Sequence, residues 1–242
     1  MADTLTFCLL IPTLNEIDGM RVVMPQVDRS LFKEIIVVDG GSTDGTVQYC
    51  HENNLTIVQQ PNKGVPDAEE YGVLNSTADV IITFTPDGNS LSELLPSLCR
   101  LFHEGYDMII VSRYLATAKS DDDDVITALG NRIFTMAVNI LFGGKLTDSL
   151  VGFRGYTRNA VKQMRLVSMG NEFCLREKFY LMNSWELGSS IRASRLNLKV
   201  HEIPGDEPAR IGGVRKMSIL RNGLGSVAQI VYDYLFFRHS RL

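Results

Sequence analysis

The sequence predicts an α/β domain, a mostly parallel twisted sheet with helices on both faces. Three observations lead there. Short apolar runs recur through the N-terminal half, amphipathic segments lie between them, and the runs are near-continuous in Ile, Val and Leu. A strand covered on one face alternates apolar with polar residues, whereas a strand covered on both faces does not. The 242 residues, 45% apolar and 21% charged, fall in the ordinary globular range and suffice for one large domain.

The elements follow in order. "LTFCLLIP" (Leu5–Pro12) has an acid before it and no small-residue cleavage pattern after it, so it reads as a buried first strand and not as a signal peptide. "EIIVVDG", "LTIVQQ", "DVIITF" and "YDMIIVSR" read as the next four strands. Helix-start signals fill the gaps: Asn15 before Glu16, Ser42 before Thr43, and Ser90 with Glu93 as a capping box ahead of "LLPSLCRLF". After Arg113 the pattern loosens into a polar loop, a boundary of roles and not of domains, dividing residues 1–114 from 115–216. Within it Asp121 to Asp124 read as a solvated run, because consecutive like charges repel. Residues 129–142 are helix-like, "VGFRGY" suggests a short strand, and "WELGSSIRASRLNLKVHEIP" reads as helix then strand. Residues 217–242 form an amphipathic C-terminal helix with Leu220, Leu224, Val227, Val231, Tyr234 and Leu235 on one stripe. A bilayer span needs about 20 apolar residues, and this segment is too short and too polar for one. Its stripe either docks on its own domain or lies in a membrane interface flanked by Arg221, Arg238 and Arg241.

Charge and cysteines exclude several classes. A net charge of −4 argues against a nucleic-acid footprint. Cys8, Cys50, Cys99 and Cys174 form no C-x-x-C pair, which suggests neither a zinc site nor a disulfide framework and fits a reducing cytoplasm.

In a parallel α/β sheet, ligands bind beyond the carboxyl ends of the strands, where loops meet helix N-termini. The polar clusters of this chain fall there: "PTLNE" (Pro12–Glu16), "DGGSTDGT" (Asp39–Thr46), "PNKG" (Pro61–Gly64) and "TPDGNS" (Thr85–Ser90). Asp39 can accept hydrogen bonds from a ribose or base, and Gly40, Gly41 and Gly45 allow close backbone approach. Each cluster alone also reads as a turn with a helix cap; the joint order carries the signal.

That order resembles the family-two inverting glycosyltransferases, and "SRY" (Ser112–Tyr114) with "DSLVGFRGYTR" (Asp148–Arg158) resembles their dolichol-phosphate mannosyltransferase branch. The resemblance covers about residues 5 to 216. It implies a single GT-A-type nucleotide-sugar-binding domain that moves a hexose from a nucleotide-diphosphate sugar to a polyisoprenyl phosphate or another envelope glycan. It places Pro12, Thr13, Asn15, Glu16, Asp39, Gly41, Ser42, Asp44, Asn62, Lys63 and Gly64 at the donor. "TPDGN" stands where the family has D-x-D-x-Q, so Asp87 and Asn89 are the implied ligands of Mg²⁺ or Mn²⁺, with Thr85 in place of the first acid. Pro66 and Glu69 replace the glycine and arginine of a G-x-A-R pattern, and Val151 stands where the branch often has serine.

An anionic acceptor needs cations to position it and no strong base. Arg113, Arg132, Arg154, Arg210, Arg215 and Lys216 are the candidates for the acceptor or the diphosphate, with Arg113 on the predicted rim. A hydroxyl acceptor needs a general base, for which Asp148 comes first, then Glu172 and Glu186; the alternative for Asp148 is an ion pair with Arg154 or Arg158. The leading expectation is a transferase peripheral to the cytoplasmic face of a membrane. A soluble transferase with a sugar-hydroxyl acceptor, and a nucleotide-sugar-binding protein without turnover, are the alternatives.

Overall fold

All the apolar runs enter one sheet. The computed structural model describes residues 5–167, 185–212 and 219–237. The strands are β1 (Phe7–Thr13), β2 (Glu34–Asp39), β3 (Thr56–Gln59), β4 (Val80–Thr83), β5 (Met108–Ser112), β6 (Arg154–Thr157) and β7 (Val200–Pro204), in the order β3-β2-β1-β4-β6-β5-β7. β6 runs antiparallel to both its neighbours, and the other paired strands are parallel. Register brings Thr13 beside Asp39, Leu10 beside Thr83 and Ser112 beside Pro204. The carboxyl ends of β1, β2, β4, β5 and β7 therefore share one edge. Because β6 runs the other way, with Arg154 beside Thr83 and Ile110, the loop before it reaches the same edge.

The helices are α1 (Ile17–Val23), α2 (Thr46–Glu52), α3 (Val65–Asn75), α4 (Leu95–Phe102), α5 (Val125–Phe142), α6 (Arg158–Gln163), α7 (Trp185–Leu196) and α8 (Ile219–Phe236). Their caps depart from the local signals. Asn15 does not cap α1: its backbone N–H donates to the Ser42 hydroxyl at 2.8 Å and its side-chain oxygen accepts from Thr43 N at 2.8 Å. Asp44 takes that duty from the next loop, accepting from Ile17 N and Thr46 N, each at 3.0 Å. Ser42 is spent on Asn15, so α2 starts later, at Thr46. Ser90 bonds Thr85 instead of capping, and the chain passes through a 3-10 turn at Ser92–Leu94 before α4. Polar groups expected to act along the chain act between loops.

The acidic run is also structured. Asp124 caps α5 by accepting from Thr127 N at 2.7 Å, which starts that helix at Val125. Asp123 accepts from the Tyr114 hydroxyl and from Asn131 Nδ2, and Asp122 accepts from Asn89 Nδ2 at 3.1 Å. Three of the four acids thus have partners that relieve the repulsion of their neighbours, while Asp121 is exposed and donates its backbone N–H to the Glu207 carbonyl at 2.8 Å.

The C-terminal stripe faces outward. Leu224, Val227, Val231, Tyr234 and Leu235 of α8 are exposed, while Ser226, Gln229 and Asp233 are buried; the Leu220 side chain, and Arg221, Arg238 and Arg241, lie outside the described residues. The reason is a buried ion pair. Arg192 of α7 donates through Nε to Asp233 at 2.9 Å, Gln229 donates to the same carboxylate at 2.5 Å, and Arg195 donates to the Asp233 carbonyl at 2.7 Å. The α7 guanidiniums demand acceptors: the Met164 and Arg165 carbonyls take Arg192 Nη1, and the polar face of α8 supplies the charged partner. α5 is turned the same way: Asn131 and Thr135 point inward, with Thr135 bonded to Ser149, while Ile126, Leu129, Ile133, Met136, Ile140 and Val125, the last 85% exposed, point outward. α5 is long and apolar enough to cross a bilayer, but its inner face is tied to the domain, and α5, α7 and α8 pack against one another.

Asp233→Ala leaves Arg192 buried without its counter-ion and is expected to lower stability by about 3 kcal/mol, whereas Val231→Ser on the outward face changes it by about 0.5 kcal/mol or less. Urea unfolding of both variants measures the contrast.

Candidate active site

The rim is assembled by loops that hold one another. Asp39, buried at the end of β2, accepts from Gly41 N at 2.8 Å and from Ser42 N at 3.0 Å, which curls the loop back over the strand. Gly40 N donates to the Thr13 carbonyl at 2.8 Å, and Glu16 N donates to the Thr46 hydroxyl at 3.1 Å. Pro12, Thr13, Asn15, Glu16, Asp39, Gly41, Ser42 and Asp44 thus form one cross-tied pair of loops. Asn62 is held by Asp67, through Asn62 N at 3.1 Å and Nδ2 at 2.9 Å, on the exposed loop that also carries Lys63 and Gly64, next to the edge strand.

The turn after β4 packs onto the same group. α1 approaches so closely that a Cβ at Gly19 would lie 2.2 Å from the Pro86 carbonyl oxygen. Asp87 is 4% exposed and accepts from Asn89 N at 3.2 Å. Gly88 has φ +91, which favours glycine, and a Cβ there would meet Ile211 at 2.8 Å. The strap after β7 lies directly over this turn: Ile211 N donates to the Asp87 carbonyl at 2.6 Å, and Arg210 Nη1 lies 2.7 Å from Asp87 Oδ2. Asp39 and Asp87 therefore both stand on the rim, at the ends of the two strands that flank β1.

Arg113 emerges on the rim and is taken up there. Its Nε and Nη2 donate to the two oxygens of Asp148 at 2.7 and 3.0 Å, and its Nη1 reaches Glu207 at 3.2 Å and Asp123 at 3.6 Å. Asp148, fully buried, also accepts from Leu150 N and Val151 N. Burial alone would raise the Asp148 carboxyl, but the Arg113 guanidinium beside it holds it below the usual range. For Glu207 the balance is reversed: burial raises its carboxyl more than Arg113 lowers it. Two expectations change as a result. The Asp148 carboxylate orients Arg113 instead of standing free as a base, and its partner is neither Arg154 nor Arg158. Arg113 is enclosed by carboxylates and cannot offer a free fork to phosphate.

Arg154 differs further, being fully buried, with its donors on the Val151 and Glu186 carbonyls and the Ser189 and Ser190 hydroxyls. It braces α7 against β6. Arg132 is exposed on α5, and Glu186 lies half-buried on α7. Arg215, Lys216 and Glu172 lie outside the described residues. By resemblance Glu207 only opens the basic, glycine-containing loop Glu207–Lys216 that closes over the diphosphate; its contact with Arg113 was not foreseen, although β7 is parallel to β5, so the loop after it had to arrive at this edge. Sequence reasoning also missed Glu202, which accepts from Thr147 N and Asp148 N and so props the Asp148 loop.

The fit of a cation is a matter of oxygen atoms. Among the described residues no three His, Cys, Asp or Glu side chains form a metal-ready group. Asn89 Oδ1, however, is buried without a hydrogen-bond partner, close to Asp87. One carboxylate and one amide oxygen suit a hard ion that draws its other ligands from diphosphate and water. The Thr85 hydroxyl, bonded to Ser90 at 2.8 Å, does not replace the missing acid.

Asp148→Asn is expected to destabilise the fold by about 3 kcal/mol at neutral pH, since Arg113 loses its closest charge partner. Because the Asp148 pKa is depressed on folding, its contribution is present above about pH 4 and is lost as pH falls through the folded value. The gap between wild type and variant should accordingly close on acidification, as followed by thermal melts between neutral and acid pH.

Comparison with known proteins bears on this architecture. Residues 8–165 match the profile described as Glycosyl transferase family 2. The chain is 29% identical over 164 residues to glycosyltransferase AglJ of Haloferax volcanii, covering 67% of this chain and 54% of that protein. It is 28% identical over 148 residues to the dolichyl-phosphate hexose transferase of the same organism, covering 60% and 64%. The chain spans about half the length of the first curated relatives it matches. Among solved structures, glucosyl-3-phosphoglycerate synthase from Mycobacterium tuberculosis in complex with Mn²⁺, UDP and phosphoglyceric acid superposes with a TM-score of 0.70 at 17% identity, covering 98% of this chain and 80% of that one. That likeness is one of fold. With more than half of its length matched, the chain belongs to glycosyl transferase family 2 and has a GT-A-like α/β fold.

Proposed function

We propose that this chain transfers a hexose, with inversion, from a nucleotide-diphosphate sugar to a polyisoprenyl phosphate at a membrane face. The observation that carries the reading is the outward apolar face of α5. It begins at Val125 and Ile126, only a few residues after Asp122, which bonds Asn89 in the donor rim. A lipid lying along that face would bring its phosphate to the rim while its tail stays in an apolar medium. The outward face of α8 extends the surface, and the domain relatives include one named for dolichyl phosphate.

In this reading residues 1–114 hold the donor, 115–216 the acceptor, and 217–242 contact the membrane. The cross-tied loops of Asn15, Asp39, Ser42 and Asp44 seat the nucleoside, with Asn62, Lys63 and Gly64 at its margin. Mg²⁺ or Mn²⁺, held by Asp87 and Asn89, would stabilise the charge growing on the departing diphosphate; the solved fold relatives include complexes with either ion and UDP. The acceptor phosphate oxygen attacks the anomeric carbon as the bond to the diphosphate breaks, and the nucleoside diphosphate leaves with the electron pair. The phosphate is already anionic, so no side chain need remove a proton. This accords with Asp148 being committed to Arg113. Arg132, exposed on α5, is the cation assigned to the acceptor phosphate.

Two measurements test this. A melting-temperature panel of UDP-, GDP-, CDP- and dTDP-sugars should find one that stabilises the protein, by about 2.7 kcal/mol at a hundredfold excess over its Kd; no response to any of them would remove the donor site. Flotation with anionic phospholipid vesicles should carry the wild-type chain upward. Leu129→Ser combined with Ile133→Ser should abolish flotation while leaving the donor response intact; unchanged flotation would defeat the lipid reading.

A further inference from the structure

Asp87 is the only acid of its turn, and Arg210 holds it. The guanidinium lies 2.7 Å from Asp87 Oδ2 through Nη1 and 3.9 Å from Asp122 Oδ2 through Nη2, so it sits where two carboxylates converge. Asp122 also accepts from Asn89 Nδ2 at 3.1 Å, which turns the other end of the Asn89 amide away from that bond. Two complementary atoms remain unsatisfied, the donor Arg210 Nε and the acceptor Asn89 Oδ1, both buried. A buried polar atom without a partner is costly, so the guanidinium suits this position incompletely. The strap that delivers it is fastened by Ile211 N to the Asp87 carbonyl, and Gly88 leaves the room that Ile211 needs. A hard divalent ion would use the Asp87 carboxylate and the Asn89 oxygen, whereas a guanidinium matches the oxygens of a diphosphate. The two cations call for the same carboxylate, and the guanidinium can exchange it for the oxygens of a diphosphate.

We propose that Arg210 is the resident counter-ion of Asp87, that it yields this carboxylate to the divalent ion accompanying a diphosphate, and that its guanidinium then passes to the diphosphate oxygens. The proposal rests on the nucleotide-sugar reading above for its second half only. Bare metal binds weakly, because it must evict Arg210 with nothing to receive it. Metal and nucleoside diphosphate therefore bind with reciprocal positive coupling. Arg210 is a positioning residue that makes the metal site conditional on the donor.

The test uses the full chain and Mn²⁺, with free ion counted by electron paramagnetic resonance. Arg210→Gln should bind Mn²⁺ alone about tenfold or more tighter than wild type, since a charge-assisted bond no longer has to be broken. Arg210→Lys should fall between them. Adding UDP or GDP, whichever binds, should tighten Mn²⁺ in wild type much more than in Arg210→Gln. Asp87→Asn should remove the gain in the Arg210→Gln background. An Arg210 with a merely architectural role would leave Mn²⁺ affinity unchanged or weakened on substitution, and either result overturns the proposal. If sugar nucleotides raise the melting temperature while Mn²⁺ binds no tighter to Arg210→Gln, the exchange fails and the donor reading stands. If Arg210→Gln gains Mn²⁺ affinity while no nucleotide binds, the resident counter-ion stands and the donor reading fails.

Discussion

The bidentate pair between Arg113 and Asp148 holds the rim of this protein together. Arg113 ends β5, Asp148 sits in the loop that leads into β6, and the same guanidinium reaches Glu207 on the strap after β7 and Asp123 ahead of α5. Four segments distant in sequence converge on one planar cation. Such a cluster is costly to bury and worthwhile only when its members satisfy one another, which makes the arrangement all-or-none. The strap that carries Arg210 over Asp87 is thus positioned from below by Arg113 through Glu207, and from the side by Ile211. The turn after β4 is thus held, through the strap, by an ion pair at the end of β5.

A second constraint shapes the C-terminal half. α8 docks through Ser226, Gln229 and Asp233, α5 through Asn131 and Thr135 together with Val138 and Phe142, and both present a row of apolar residues outward, which an ordinary surface helix does not. In α8 the cause is the pair of guanidiniums on α7, Arg192 and Arg195, which need buried acceptors. In α5 it is the run of inward hydrogen bonds from Asn131, Thr135 and Asn139. Among the described residues these two helices carry most of the exposed large apolar side chains.

Much of this was legible in the sequence. Runs such as "IIVV" and "VIIT" announce strands covered on both faces, and their polar followers announce a common rim, because both signals are local and the right-handed parallel crossover does the rest. What was not legible depended on partners far along the chain. Asn15 and Ser42 look like caps until each finds the other across two loops; Asp122, Asp123 and Asp124 look solvated until Asn89 claims the first, Tyr114 and Asn131 the second and Thr127 the third. The direction of the α8 stripe could not be read from periodicity, since a helical wheel shows two faces and not which of them a neighbouring arginine requires.

The position of β6 bears on how the molecule comes into being. The four strands β3, β2, β1 and β4 are complete once residue 83 has been synthesised, and they are mutually paired. β4's second neighbour is β6 and not β5, so one flank of that nascent sheet stays open while some seventy further residues are made. β5, though translated earlier, has no docking place until β6 arrives between them. The N-terminal half of the sheet can therefore take shape on the ribosome ahead of the half that completes it, with an unsealed strand edge as the interval's hazard.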